Sequence, residues 1–387
     1  MTVAYLLLVA LTWATTRAGA TTPVDLGVVA AVVVAAFLLS GKPSRPGPAV
    51  LAVGAFLAWT IFAHPDQATD MAGLWLPVLV VLCVLVVLTV LRTAEQRAIL
   101  LDGLVVIGTV QAIGAGVQAA VLVAERGIPA DGLRAASLIG NANALGVLLV
   151  ATFLVTLRTR PPGAPVLLVV QGLGVLLTGS RLAIGVAIVV AVAAVRGPLR
   201  RWKALVGCWV VVAGAVVVGR FVASGADRLA LWRAALGEFA RAPITGRGPA
   251  PVAYLVTGIG PTTHAHNEAL QIAVEYGVVG LGLLIIAGVV VVRCVARWDV
   301  GLLVATVALA ASGLTDFGLR IPAIALTAAV LGAFAASPNP RAARSDRDRP
   351  PSDPPATAAA PLEACAPGSA GDRRRAGAAV HGSGARS

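Results

Sequence analysis

The sequence predicts an all-α fold: a polytopic transmembrane helix bundle of about twelve spans, with one large extracytoplasmic loop that contains a short amphipathic helix. Three observations carry the prediction. Of 387 residues, 58% are hydrophobic and only 12% charged, with a mean hydropathy of +0.88, a balance that excludes an ordinary soluble domain. Apolar runs close to membrane-spanning length recur along most of the chain. Lysine and arginine gather in alternate connections between those runs, as the orientation rule for membrane helices requires.

The runs, in order, are 3–14, 24–40, 48–63, 73–91, 98–124, 144–157, 165–178, 182–195, 204–219, 268–292, 299–315 and 320–336. Several reach only about 12–17 residues and need flanking residues or local bilayer thinning to cross. The first, Val3–Ala14 followed by Ala18-Gly-Ala20, has the apolar core and small-residue site of a signal peptide. It lacks the basic stretch that precedes one, so it reads as the first transmembrane helix, with a cleaved signal as the alternative.

Charge sets the orientation. One set of short connections holds twelve cations: Lys42, Arg45, Arg92, Arg97, Arg158, Arg160, Arg196, Arg200, Arg201, Lys203, Arg293 and Arg297. The other holds five, Arg17, Arg126, Arg134, Arg181 and Arg320, beside the long loop 220–267, whose own charges weigh little in the rule. Both termini are therefore expected in the cytoplasm and loop 220–267 outside. A net charge of +12 distributed this way is an orientation signal, not a nucleic-acid surface. Residues 337–387, rich in Pro, Ala, Arg, Asp, Gly and Ser, cannot bury a core and are expected to form a disordered cytoplasmic tail behind a membrane domain at 1–336. Cys83, Cys208, Cys294 and Cys365 share no metal-ligand spacing and read as small hydrophobes without disulfides. The chain has no phosphate-binding nucleotide loop, no dinucleotide-type glycine fingerprint and no HExxH.

Loop 220–267 concentrates five arginines and two of the four histidines. Ser224-Gly-Ala-Asp227 fits a helix-opening capping box, and Leu229, Trp232, Leu236 and Phe239 then recur at helical spacing until Pro243. Arg228, Arg233 and Arg241 occupy other faces, so this short helix is expected to lie flat on the membrane surface, where contact with lipid headgroups is the plain alternative to substrate binding. Gly246 and Gly248 around Arg247 permit an anion-binding nest of backbone N–H groups, or a plain turn. His264 and His266 precede Asn267, with Glu268, Gln271 and Glu275 on roughly one face of the next helix. An imidazole titrates near neutral pH and can accept a proton from a hydroxyl. A two-histidine metal site would need a third ligand, and an inert polar loop is the other alternative. Thr178-Gly-Ser-Arg181 places a costly charge at the outer end of two spans, where a bound phosphate explains it better than an ordinary turn. Asn141, Asn143, Asp316 and Arg320 are weaker outer-end candidates that read equally well as helix caps or their neighbours.

Taken in order, these pieces resemble the O-antigen ligase and O-antigen polymerase superfamily of polytopic membrane glycosyltransferases. The resemblance covers 140–335 and runs through Asn141-Ala-Asn143, Thr178-Gly-Ser-Arg181, Arg228 to Trp232, Pro243 with Gly246-Arg-Gly248, His266-Asn267-x-x-Leu270, Glu275, Gly277, Gly280 and Asp316-Phe317. It implies a helical glycosyltransferase of the C type, at work in cell-surface polysaccharide biosynthesis. Such an enzyme takes a glycan from a polyprenyl diphosphate carrier and passes it to an acceptor hydroxyl on a glycan or lipid. It works on the outer side of the cytoplasmic membrane as a multi-pass protein among membrane lipids, without nucleotide sugar, metal or cofactor. By the same resemblance Arg181 and Arg228 hold the diphosphate and His266 is the essential histidine. Arg233, Arg247, His264, Asn267 and Asn143 are secondary substrate-binding candidates.

The chemistry agrees with that implication. A diphosphate leaving group gains charge as the glycosidic bond breaks, and arginines supply paired donors that stabilise it. A single displacement with a histidine drawing the proton from the acceptor would invert the anomeric centre. Two rivals remain. A transporter or flippase would suit the span count and the polar Gln111, Gln118 and Gln171 within apolar runs. A peptidoglycan-type polymerase of the shape, elongation and division family would rely on an external carboxylate, where this loop offers His and Arg.

Overall fold

The computed structural model describes residues 1–39, 48–64, 71–91, 93–127, 133–181, 183–188, 225–249, 253–256, 260–294, 299–313 and 318–336. The expected run 204–219, most of 182–195, Ser224, Asp316 and the expected tail 337–387 lie outside the described residues. The helices are α1 (Thr2–Thr16), α2 (Pro23–Leu39), α3 (Pro48–Ala63), α4 (Met71–Val90), α5 (Ala94–Arg126), α6 (Ala142–Thr159), α7 (Ala164–Thr178), α8 (Gly225–Arg241), α9 (Glu268–Cys294), α10 (Val300–Ser312) and α11 (Pro322–Ala336). The apolar runs that fall within the described residues form helices, with ends displaced by a few residues.

Local chemistry sets those ends. Thr93 and Gln96 form a reciprocal capping box, so α5 starts four residues before its apolar run and reaches 33 residues. Asn141 caps α6 by accepting from the Ala144 amide at 3.0 Å, and the helix stops at Arg160 (φ 52°), ahead of Pro161-Pro162. Helix α7 ends at Gly179 in the left-handed region (φ 57°).

Among the described residues, three helical segments are long and apolar enough to cross a membrane by length and composition: Ala94–Arg126, Ala142–Thr159 and Glu268–Ile286. Seven further apolar helices among the described residues span 10–17 residues. Apolar helices of this kind, dense along the chain, make it an integral membrane protein.

Helices α1, α2, α4–α7, α10 and α11 share one core, in which Leu7, Leu11, Val33, Leu79, Leu104, Leu148 and Leu331 are fully buried. The glutamines in the apolar runs are spent inside it. Gln111 donates to the Thr15 carbonyl at 2.7 Å, and Gln118 accepts from the amides of Ala136 and Ser137 at 2.7 and 2.8 Å. Gln171 joins Thr156 to the Val105 carbonyl and Thr109. They tie neighbouring segments of the bundle to one another. A second group forms where α9 packs along α3 and beneath α8.

The all-α expectation holds, with one small antiparallel hairpin, Tyr254–Val256 (β1) and Gly260–Thr262 (β2), within the long loop. One expectation needs correction. Helix α8 does not simply rest on the surface with its apolar side down. Leu231 and Ala235, one turn apart, are buried against Tyr254, Ala265 and Val274, whereas Leu229 and Leu236 are 53% exposed. The hairpin and α9 cover the inward stripe, a tertiary contact that helical spacing alone does not show.

The bundle has two chemically different ends. At one, Arg158 grips Asp299 with two donors at 2.9–3.2 Å, the Asp299 amide donates to Ala335, and Arg97 lies 5.7 Å over the Phe334 ring. At the other, short turns at 18–20, 137–139 and 318–320 meet: a Cβ on Gly19 would strike Ile321 and approach the Ile139 carbonyl, and Gly140 lies against Ala18. The candidate site is built at this second end.

Candidate active site

The Thr178-Gly-Ser-Arg181 turn is a helix stop followed at once by a helix start. Thr178 is buried, donates to the Val175 carbonyl and accepts from the Ser180 amide at 3.1 Å. Ser180 then caps the helical turn that opens at Arg181, with the amides of Ala183 and Ile184 directed at it. Gly146 of α6 lets this turn sit down closely, since a Cβ there would meet Thr178, Ser180 and Ala183. Arg181, half-buried, therefore combines a guanidinium with the positive end of a helix. The neighbouring 133–143 segment is tied in by the Ala135 amide on the Leu177 carbonyl. There Arg134 reaches Asn143 Oδ1 at 3.5 Å, while Asn141 acts as the α6 cap described above.

The histidines follow β2. Ala265 between them is fully buried, and His266 adopts φ 50°, a left-handed conformation uncommon for a non-glycine residue. Asn267 caps α9, its Oδ1 accepting from the Leu270 amide at 3.0 Å. Arg228 lies near the start of α8, with its side chain outside the described atoms; Arg233 is exposed further along the same helix. Arg247 is half-exposed, with Nε 3.7 Å from Glu238, which also pairs with Arg241.

Residues 243–248 are not an anion nest. Gly246 and Gly248 do adopt positive φ (78° and 91°), but their N–H groups and that of Arg247 point at carbonyls: Gly246 to Ala242, Arg247 to Val274 and Gly248 to Glu275. They fill a break in α9. Gly277, at φ 68° and ψ −174°, interrupts that helix and frees the backbone groups around it. The Val278 amide donates to Pro243, and the Tyr276 carbonyl accepts from the Trp59 indole at 3.2 Å. His64 Nε2 lies 2.8 Å from the Thr245 carbonyl. Phe56 stacks edge-on against Tyr276 at 5.1 Å, so α3, the 243–248 segment and α9 are fastened at one point. The Val274, Glu275 and Tyr276 carbonyls and the Val278 amide thus find partners across the break, as burial beside a membrane demands.

One buried polar network escaped the sequence reading. Arg320, treated there as a neighbour of a helix cap, binds Glu275 at 2.6 Å and Glu268 at 3.2 Å. Glu275 accepts from the Gln271 side chain at 2.7 Å, and Gln271 accepts from the Ala265 amide at 2.7 Å and the Tyr254 hydroxyl at 3.3 Å. The Glu268 amide bonds Gly313 of the 310–313 turn at 2.5 Å. Burial alone would lower the Arg320 pKa, but the Glu275 and Glu268 carboxylates outweigh it and hold the guanidinium above its ordinary range. Burial, reinforced by Glu275, pushes the Tyr254 phenol up to about 12, so it donates to Gln271 as a neutral hydroxyl. The signal in the sequence was a cation at an outer end facing two carboxylates one helical face apart, Glu268 and Glu275.

Asn143 and Arg181 stand on neighbouring turns tied by the Ala135–Leu177 bond, while His264, His266 and Asn267 lie at the start of α9, with Arg247 bound to that helix about two turns further on at Val274. The 18–20, 137–139 and 318–320 turns connect the two groups at a single end. Among the described residues no three His, Cys, Asp or Glu side chains gather as metal ligands. Both groups fall largely inside a segment with a known counterpart: residues 166–285 match the family model of the O-antigen ligases. That segment, rather less than half of the chain, is similar to the O-antigen ligases. A search of curated proteins finds no significant match. The similarity suggests ligase- or polymerase-type glycan transfer in a membrane, and the Gly246 and Gly277 contacts lie within the matched segment.

Proposed function

We propose that this protein is an O-antigen ligase-type enzyme that transfers a glycan from a polyprenyl diphosphate carrier to an acceptor hydroxyl on the extracytoplasmic side of the cytoplasmic membrane. Its 1–336 region is the membrane-embedded enzyme of the C type, with both termini and the 337–387 tail in the cytoplasm. The observation that supports this most is that the Arg181 turn and the His264–Asn267 loop, both inside the family-matched segment, stand at one end of the bundle. That end is the one the charge bias assigns to the outside.

Arg181 and Arg228 serve as the diphosphate clamp. A diphosphate needs more than one cation in a low-dielectric site, and Arg181 adds the dipole of the turn it opens. His266 draws the proton from the acceptor hydroxyl as the new glycosidic oxygen–carbon bond forms and the carbon–phosphate oxygen bond breaks. Arg233 and Arg247, exposed beside the loop, with His264, Asn267 and Asn143, line the approach of donor and acceptor. Neither metal nor cofactor enters this scheme.

The test supplies purified protein in detergent or nanodiscs with a labelled polyprenyl-diphosphate-linked oligosaccharide and an acceptor glycan. Longer or transferred labelled product is expected without nucleotide sugar; intact donor after prolonged incubation with well-folded protein would contradict the reading.

A further inference from the structure

We infer that Arg320 is a positioning residue for the His264–His266 segment, acting through Glu275 and Gln271. The inference rests on the transfer reading above for its functional consequence, but its structural half stands independently. The path is continuous. Arg320 Nη2 meets Glu275 Oε2 at 2.6 Å, Gln271 Nε2 donates to Glu275 Oε1 at 2.7 Å, and the Ala265 amide donates to Gln271 Oε1 at 2.7 Å. Glu275, Gln271 and Ala265 are 2%, 3% and 0% exposed, so water cannot substitute for a missing link.

The path ends at the amide of Ala265, the residue between the two histidines. His266 is held in the left-handed region, which costs a non-glycine residue about 1 kcal/mol or more and persists only where surroundings enforce it. The hydrogen bond on Ala265 is such an enforcement, immediately before the strained residue.

Direction in the relay depends on charge. Gln271 must present its oxygen to Ala265 and Tyr254 and its nitrogen to Glu275. That holds while Glu275 is an acceptor on both oxygens, which means ionised. Without Arg320 the Glu275 carboxylate would be a lone buried charge, and gaining a proton would turn it into a competing donor. Arg320 also binds Glu268 at 3.2 Å, the first residue of α9, so one planar fork fixes the helix start and the relay together. Arg320 belongs to the turn that precedes α11 in the main core, whereas the histidines belong to the α8–α9 group; the relay spans the two.

Two measurements decide it. In the transfer assay, Gln271→Leu is expected to lower kcat about tenfold or more with donor KM nearly unchanged, as displacement of a catalytic group does. Arg320→Met should do the same and Arg320→Lys should recover part of the loss. In a His266→Ala background these substitutions should cost little more, because they act through that imidazole. Independently of any activity, hydrogen exchange in the 263–267 peptide should rise in Gln271→Leu and Arg320→Met relative to wild type. Losses that multiply fully in the His266→Ala background, or unchanged exchange at 263–267 in folded Gln271→Leu, would overturn the inference. If His266→Ala kept wild-type turnover, the transfer reading would fail while the exchange data still judged the relay.

Discussion

Gly246 and Gly277 oppose each other across the break in α9, and each is so close to the other's chain that neither tolerates a Cβ. A methyl group on Gly246 would collide with the Glu275 carbonyl, and one on Gly277 with the Ile244 carbonyl. Both residues also sit at positive φ, 78° and 68°. The long loop is therefore keyed into a membrane helix backbone to backbone, and the histidines at its far end inherit a rigid anchor.

Gly277→Ala and Gly246→Ala should each destabilise the protein by about 2 kcal/mol or more, the sum of left-handed strain and overlap with backbone that cannot move aside. Gly237→Ala on α8 is the control, since a Cβ there meets nothing within 4 Å. It should be neutral or favourable by about 0.5–1 kcal/mol. Apparent melting temperature of the purified variants reads all three. Wild-type melting of Gly277→Ala would show that the loop does not key into the helix.

The orientation is testable with single cysteines in a background freed of the native ones. A cysteine replacing Arg241, exposed at the end of α8, should react with a membrane-impermeant thiol reagent in intact cells. One replacing Pro162, exposed between α6 and α7, should react only after permeabilisation. The reverse pattern would invert the topology and move the candidate site to the cytoplasm.

At the opposite end, Asp299 both pairs with Arg158 and caps α10 through the Gly301 and Leu302 amides. The pair is partly exposed, so solvent screening leaves it little of its nominal strength. Asp299→Ala should cost about 1 kcal/mol, mostly from the cap, and leave glycan transfer at the wild-type rate. Loss of transfer with an intact fold would mean that this end takes part in the reaction.

The helices were legible because their signals are local. The apolar runs act within a few residues. The inward face of α8 was not, because Leu231 and Ala235 are chosen by a hairpin and a helix 19 to 43 positions further on. Arg247 and its flanking glycines suggested an anion nest, but only the α9 carbonyls reveal where those N–H groups go. Arg320 was undervalued for the same reason: its partners lie 45 and 52 positions away. The interruption at Gly277 had no sequence signature, since glycine is common in membrane helices that do not break.

The most direct test of the account is turnover by His266→Ala. Transfer from a polyprenyl-diphosphate-linked oligosaccharide is measured beside donor binding by the same purified protein. The account predicts product formation lower by about a hundredfold or more, donor affinity close to wild type, and lost affinity instead in Arg181→Lys and Arg228→Lys, where an ammonium cannot reproduce the guanidinium fork. Wild-type turnover in His266→Ala would contradict it.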